Sequence, residues 1–241
     1  PLPDRSVRQL VTWCLLATVK TISHLFFRAE VGWIGPHPEP PFRDLQRLRV
    51  VAILNHTSLY EPIFTITVPY RFLWRIARHG VVAIAEKTLK RPVVGRFFSL
   101  IAAHVASVTR ERDHTWRAVL SRIGPDSMVL ILPEGRMMRA NGLDANGEPM
   151  TVRGGIADIL EAVGDGEMLV AYSGGLHHVQ APGELLARPF RRIRMNFERL
   201  DVATYNEARQ REAAEIGDSF KRRVKEDLEA RRDRNCPRAA A

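Results

Sequence analysis

An imidazole and a carboxylate five positions apart, His56 and Glu61 in the stretch LNHTSLYEPI, are side chains whose types and spacing could do chemistry. An imidazole titrates near neutral pH, so it can serve as a general base for an attacking hydroxyl. A neighbouring carboxylate fixes its tautomer and stabilises the imidazolium as it forms. On a continuous helix, positions i and i+5 lie roughly 140° apart, so the pair meets only if His56 sits in a turn ahead of the helix. The apolar run LRVVAIL (48–54) reads as a buried strand and ends at Asn55, which supplies that placement. The plain alternative is a structural histidine at a strand end. Ser58 is the nearby nucleophile candidate, but it lacks the G-x-S-x-G elbow setting. With Thr57 it reads instead as the cap of a helix whose first N–H groups could face an oxyanion.

Two further polar groups end apolar runs. Arg110 closes VASVTR, and Glu134, Gly135 and Arg136 follow MVLILP. Catalytic residues in open α/β sheets gather at the carboxyl ends of strands. Guanidinium groups pair bidentately with phosphate, so Arg110 and Arg136 are candidates for binding an anionic group, or else solvated surface arginines. Glu134 could bind substrate hydroxyls or brace these arginines; otherwise it is a loop carboxylate paired with a neighbour. Gly135 would permit close backbone approach.

Together these segments resemble the blocks of the glycerolipid acyltransferases, the 1-acylglycerol-3-phosphate acyltransferase family. The N-H-x-S-x-x-D block has its counterpart in Asn55-His56-Thr57-Ser58-Leu59-Tyr60-Glu61, and P-E-G-T-R in Pro133-Glu134-Gly135-Arg136. Gly95 in RPVVGRFF and Arg110 stand for the second block, while Arg153-Gly154-Gly155 and MLVAY follow downstream. The resemblance runs from about Leu48 to Leu200. It implies acyl transfer from an acyl-CoA or acyl-carrier-protein thioester to a lysophospholipid or another lipid-like alcohol. It implies direct attack by the acceptor, His56 and Glu61 as the catalytic pair, and Asn55, Arg110, Glu134, Gly135 and Arg136 at the substrates, with no cofactor. Several positions depart from the pattern. Glu61 replaces aspartate, Thr109 stands where an acidic residue is common, and Arg136 and Met137 occupy the usual threonine and arginine positions, with Arg139 close by. A glycolipid, amino-lipid or natural-product hydroxyl therefore stays open as acceptor.

The elements that must position these residues alternate. Strands are expected at 48–54, 81–85, 104–109, 127–133, 167–172 and 190–200, and helices from Thr57, around 96–102, over 154–164, and as one long charged helix from 203 to about 234. This pattern predicts a single α/β domain with a central mixed, largely parallel sheet flanked by helices. It is preceded by an N-terminal apolar helical segment. The expected division is residues 1–34 for that segment, 35–47 for a Pro-rich linker, 48–202 for the acyltransferase domain and 203–241 for the charged tail.

In residues 1–34, Arg8, Lys20 and Arg28 interrupt the apolar run too often for a simple transmembrane helix, which needs roughly 20 uninterrupted apolar residues. The segment either lies in a membrane interface, with Trp13, Phe26, Phe27 and Trp33 at the headgroup boundary, or packs on its own domain. The net charge of +9 favours anionic partners, an anionic membrane surface above all. Nucleic acid is disfavoured, since no recognition signature appears. Two cysteines, Cys14 and Cys236, give no disulfide framework, and the eight histidines form no metal-binding spacing. Peripheral or monotopic association with the cytoplasmic face of a membrane is the expected location. A non-catalytic basic α/β module and an ester or thioester hydrolase using Ser58 are the competing readings.

Overall fold

Short apolar runs bounded by loops build the centre of the molecule. In the computed structural model, which describes residues 5–109, 114–181, 184 and 186–238, these runs form seven strands. They are β1 (Arg28–Ile34), β2 (Leu48–Leu54), β3 (Gly80–Ala85), β4 (His104–Val108), β5 (Met128–Ile131), β6 (Glu167–Ser173) and β7 (Arg192–Asp201). The sheet order is β1-β7-β6-β2-β5-β3-β4. Every neighbouring pair is parallel except β6 and β7. β2 lies at the middle and is buried on both faces, as its near-continuous apolar sequence requires. Because β5, β2 and β6 are adjacent and parallel, their carboxyl ends open on the same edge.

Helices cover both faces. The first half of the chain supplies α1 (Arg5–Phe26), a 3-10 segment over Glu61–Thr67, α2 (Tyr70–His79), α3 (Glu86–Leu89), α4 (Pro92–Ser99) and α5 (His114–Leu120). The second half supplies α6 (Gly155–Val163), α7 (Val202–Ile216) and α8 (Phe220–Asn235). Ile63, Phe64, Phe72, Leu73 and Ile76 form one core layer with Val51, Val82 and Leu169. Ile156, Ile159, Leu160, Val224 and Leu228 form the other with Val50, Ala52 and Val170. α3 and α4 approach so closely that a Cβ on Gly95 would stand 2.0 Å from the Leu89 carbonyl oxygen, so only glycine fits.

Four expectations are corrected. Residues 28–34 are not helical: they form β1, the edge strand beside β7, and Trp33 packs inward against Phe42 and Phe197 while stacking on His37. No helix starts at Thr57 and Ser58; four residues of turn lead into the 3-10 segment, with Pro62 in its first turn, and α2 opens only after Pro69. The helix expected at 96–102 starts earlier, at Pro92. The tail is two helices, because Gly217 adopts φ +67° and ends α7 with a left-handed cap.

α1 is inverted relative to a soluble surface helix. Its buried positions are Thr12, Leu16, Lys20 and Ser23, while Val7, Leu10, Val11, Ile22, Leu25 and Phe26 are exposed, Leu25 by 69%. Lys20 Nζ donates to the carbonyl oxygens of Thr65 (3.2 Å) and Ile66 (3.1 Å) and lies 5.3 Å from the Tyr70 ring centre. Burial lowers the pKa of this ammonium. Among the described residues no helix is long and apolar enough to cross a membrane.

Candidate active site

The chain leaves β2 through Asn55, whose φ of +67° turns the backbone sharply at the strand end. Asparagine tolerates this region because its short side chain can bond locally, and here Nδ2 donates to the Ser173 carbonyl oxygen at the end of β6 (2.7 Å). The turn brings His56 Nδ1 to 3.1 Å from Glu61 Oε1. The same carboxylate oxygen accepts from the Thr57 backbone N–H at 3.1 Å. Both side chains are mostly enclosed, with 14% and 10% of their surface accessible. Glu61 Oε2 is buried without a partner among the described residues.

Glu134, at the end of β5, faces inward, and its side chain is 1% exposed. Its oxygens accept from the backbone N–H groups of Asn55 (3.2 Å) and His56 (2.8 Å), and from Arg232 Nη1 of α8 (3.1 Å). The Met138 N–H donates back to the His56 carbonyl oxygen at 2.8 Å. On the β6 side, the Leu176 N–H donates to Thr57 Oγ1 at 2.7 Å. Three adjacent strand ends thus fasten the turn that begins at Asn55.

The expected site residues fall into different positions. His56, Glu61, Asn55 and Glu134 converge. Glu134 braces an arginine, but that arginine is Arg232, and its buried carboxylate supports the turn rather than lying open to acceptor hydroxyls. Arg136 forms an ion pair with the buried Asp144, which a phosphate would have to displace. Asp144 accepts in addition from the Glu148 and Asn146 N–H groups, which hold its carboxyl below the usual range. Gly135 has φ +64° with only ordinary contact to Arg153, so backbone conformation and not close approach demands glycine. Arg110 lies outside the described residues. Ser58 is buried, donates to Gln180 Oε1 and accepts from the Tyr60 N–H; it caps this turn and has no bond to His56. Among the described residues no group of three or more His, Cys, Asp or Glu is placed to hold a metal ion.

The acyltransferase family model matches residues 42–172, more than half of the chain, including the turn and the ends of β2 and β5, though not Ser173, Leu176, Gln180 or α8. The chain belongs to the acyltransferase family. No curated protein matches it. Its fold is similar to that of the 1-acyl-sn-glycerophosphate (LPA) acyltransferase PlsC from Thermotoga maritima, with a TM-score of 0.58 and 15% identity over 98% of this chain and 83% of that one. The glycerolipid acyltransferase family read from the blocks agrees with both findings. Sequence reading missed Arg232, Gln180 and Lys20 of this acyltransferase. Arg232 stands 98 positions from Glu134 inside a charged helix, where no local pattern distinguishes it from its neighbours.

Proposed function

We propose that this acyltransferase moves a fatty acyl group from an acyl-CoA or acyl-carrier-protein thioester to the hydroxyl of a lysophospholipid or another lipid-like alcohol at a membrane surface. The observation that carries the reading is the His56–Glu61 contact at the strand end. A carboxylate on Nδ1 selects the tautomer with the proton there, which leaves the Nε2 lone pair for the acceptor hydroxyl. No described residue bonds Nε2. The alkoxide formed as His56 takes the proton attacks the thioester carbonyl, the tetrahedral intermediate collapses, and the thiol leaves with the proton carried by His56. Glu61 holds the ring and offsets the charge of the imidazolium.

Support for the membrane surface comes from α1. Its exposed apolar residues stay in water unless a lipid interface or a partner covers them, and exposed contiguous apolar faces mark such contacts. Arg5, Arg8 and Arg28 near its ends suit anionic headgroups. An anionic acceptor headgroup would meet the exposed Arg153 beside Gly135, or the exposed Arg139, more readily than the paired Arg136.

The test is acyl transfer measured by mass spectrometry with both donor types against a panel of lipid acceptors, for the native chain and His56→Ala. Transfer that depends on His56 supports the reading. Ester or thioester hydrolysis without any acylated acceptor would replace it.

A further inference from the structure

The catalytic turn is built by residues 55–61, but its geometry depends on a side chain far outside the matched family region. Asn55 occupies a left-handed conformation, φ +67°, that is unfavourable for an L-residue and persists only where surroundings over-determine it. The Glu134 carboxylate is part of that constraint, accepting the N–H groups of both Asn55 and His56. A carboxylate this deeply buried needs a charged partner. That partner is Arg232, with 17% of its side chain exposed, which also donates to the Met150 carbonyl oxygen at 3.0 Å. One turn earlier on α8, Glu229 accepts the Val152 N–H at 2.7 Å, so the same helix face fixes the segment running on from the Glu134 loop. The second contact of Arg232, to the 69%-exposed Asp233, is solvated and contributes little.

We infer that Arg232 is a positioning residue for acyl transfer: through Glu134 it holds the Asn55–His56 turn and so aims the His56 ring. The inference rests on the reading of His56 as the base. Without the guanidinium, Glu134 is left with two neutral N–H donors in an apolar interior. It either turns toward water or takes up a proton. Both moves loosen the His56 N–H and swing the imidazole relative to Glu61, whereas the Thr57 N–H stays on Glu61. α8 is then part of the active-site architecture.

The experiment compares Arg232→Met, Arg232→Lys, the exposed Arg234→Ala as surface control, and His56→Ala. Steady-state kinetics and backbone amide NMR spectra of the full chain are the readouts. A displacement of about 1 Å costs on the order of 10²-fold in rate, so Arg232→Met should lower kcat by about that factor with little change in either KM. Arg232→Lys should recover part of the loss, and Arg234→Ala should match the native chain. The Asn55 and His56 amide resonances should move in Arg232→Met while Thr57 stays. Native kcat in Arg232→Met beside an inactive His56→Ala overturns the positioning role alone. Turnover retained in His56→Ala overturns the reading beneath it, and the inference falls with it. If the Met variant does not fold, Arg232→Lys decides. Shifted Asn55 and His56 amides with reduced kcat support the role, and unshifted amides with only a lowered Tm refute it.

Discussion

α1 and α8 grip the same site from opposite ends of the chain, yet they face their surroundings in opposite ways. α1 holds the segment that carries Glu61, through Lys20 on the carbonyls of Thr65 and Ile66. α8 holds the turn that carries His56, through Arg232 on Glu134. Outward, α1 shows Val7, Leu10, Val11, Ile22 and Leu25, whereas α8 shows arginines and carboxylates in ion pairs and buries only Val224 and Leu228. A shared inward task with contrary outward faces means that the outward faces answer to the medium and not to the site. α8 is built for water. α1 leaves its apolar side chains uncovered.

The largest effect should fall on the pair that both helices hold. His56→Ala should reduce acyl transfer by a factor on the order of 10²–10⁴, the usual contribution of a positioned general base, with the circular dichroism spectrum unchanged. Glu61→Gln should be severely impaired and Glu61→Asp less so, because charge matters more than reach; equal activity of the two would remove the orienting role.

Next in size is the contrast between outer faces. Burying a leucine-sized side chain contributes about 1.5–3 kcal/mol, so Val11→Glu with Leu25→Glu should weaken flotation with anionic liposomes by on the order of 10²-fold or more. Lys225→Glu on α8 should weaken it far less. If both changes weaken flotation equally, the contrast is one of charge alone.

Lys20→Met comes third. It removes the charge-assisted hydrogen bonds to the Thr65 and Ile66 carbonyls and the contact with His24 Nε2, and should cost about 1.5–3 kcal/mol in thermal or denaturant unfolding. The folded pKa of Lys20 lies below 10.5, so between that lowered value and 10.5 the unfolded chain binds more protons and stability rises with pH. The difference between native and Lys20→Met unfolding curves should carry this slope; a flat difference would show that the ammonium is not buried in solution.

The smallest effect is expected at Arg222, 66% exposed and paired with Asp218 and Glu226. Its replacement by alanine should change stability by less than about 1 kcal/mol. A larger loss would mean that the outer face of α8 does more than meet water.

Much of this was legible in order along the chain. LRVVAIL and MVLIL are apolar on both faces and can only be interior strands, and the motif residues at their ends follow from that. Local periodicity misled where a tertiary partner sets the structure. RAEVGWI lacks the alternation of a half-buried strand because β1 is an edge, half of it exposed, so it read as more helix. Thr57 and Ser58 have the hydroxyls of helix caps, but their partners are Leu176 and Gln180, more than a hundred positions away. Arg136 stands at the motif position expected for a substrate contact, and only folding of the following loop shows that Asp144 already holds it. The Glu134–Arg232 pair has no local signature.

The position of β1 has a consequence for how the protein is made. Among the described residues its only neighbour in the sheet is β7, and Glu30 bonds Arg194 across 164 positions of sequence. Because synthesis runs from the N-terminal side, α1 and β1 are made long before residues 192–201 exist to receive that strand. Domains complete only when their last element has emerged. The growing chain therefore carries α1 with its apolar side chains exposed for as long as the segment between β1 and β7 takes to make, and the sheet closes only afterwards.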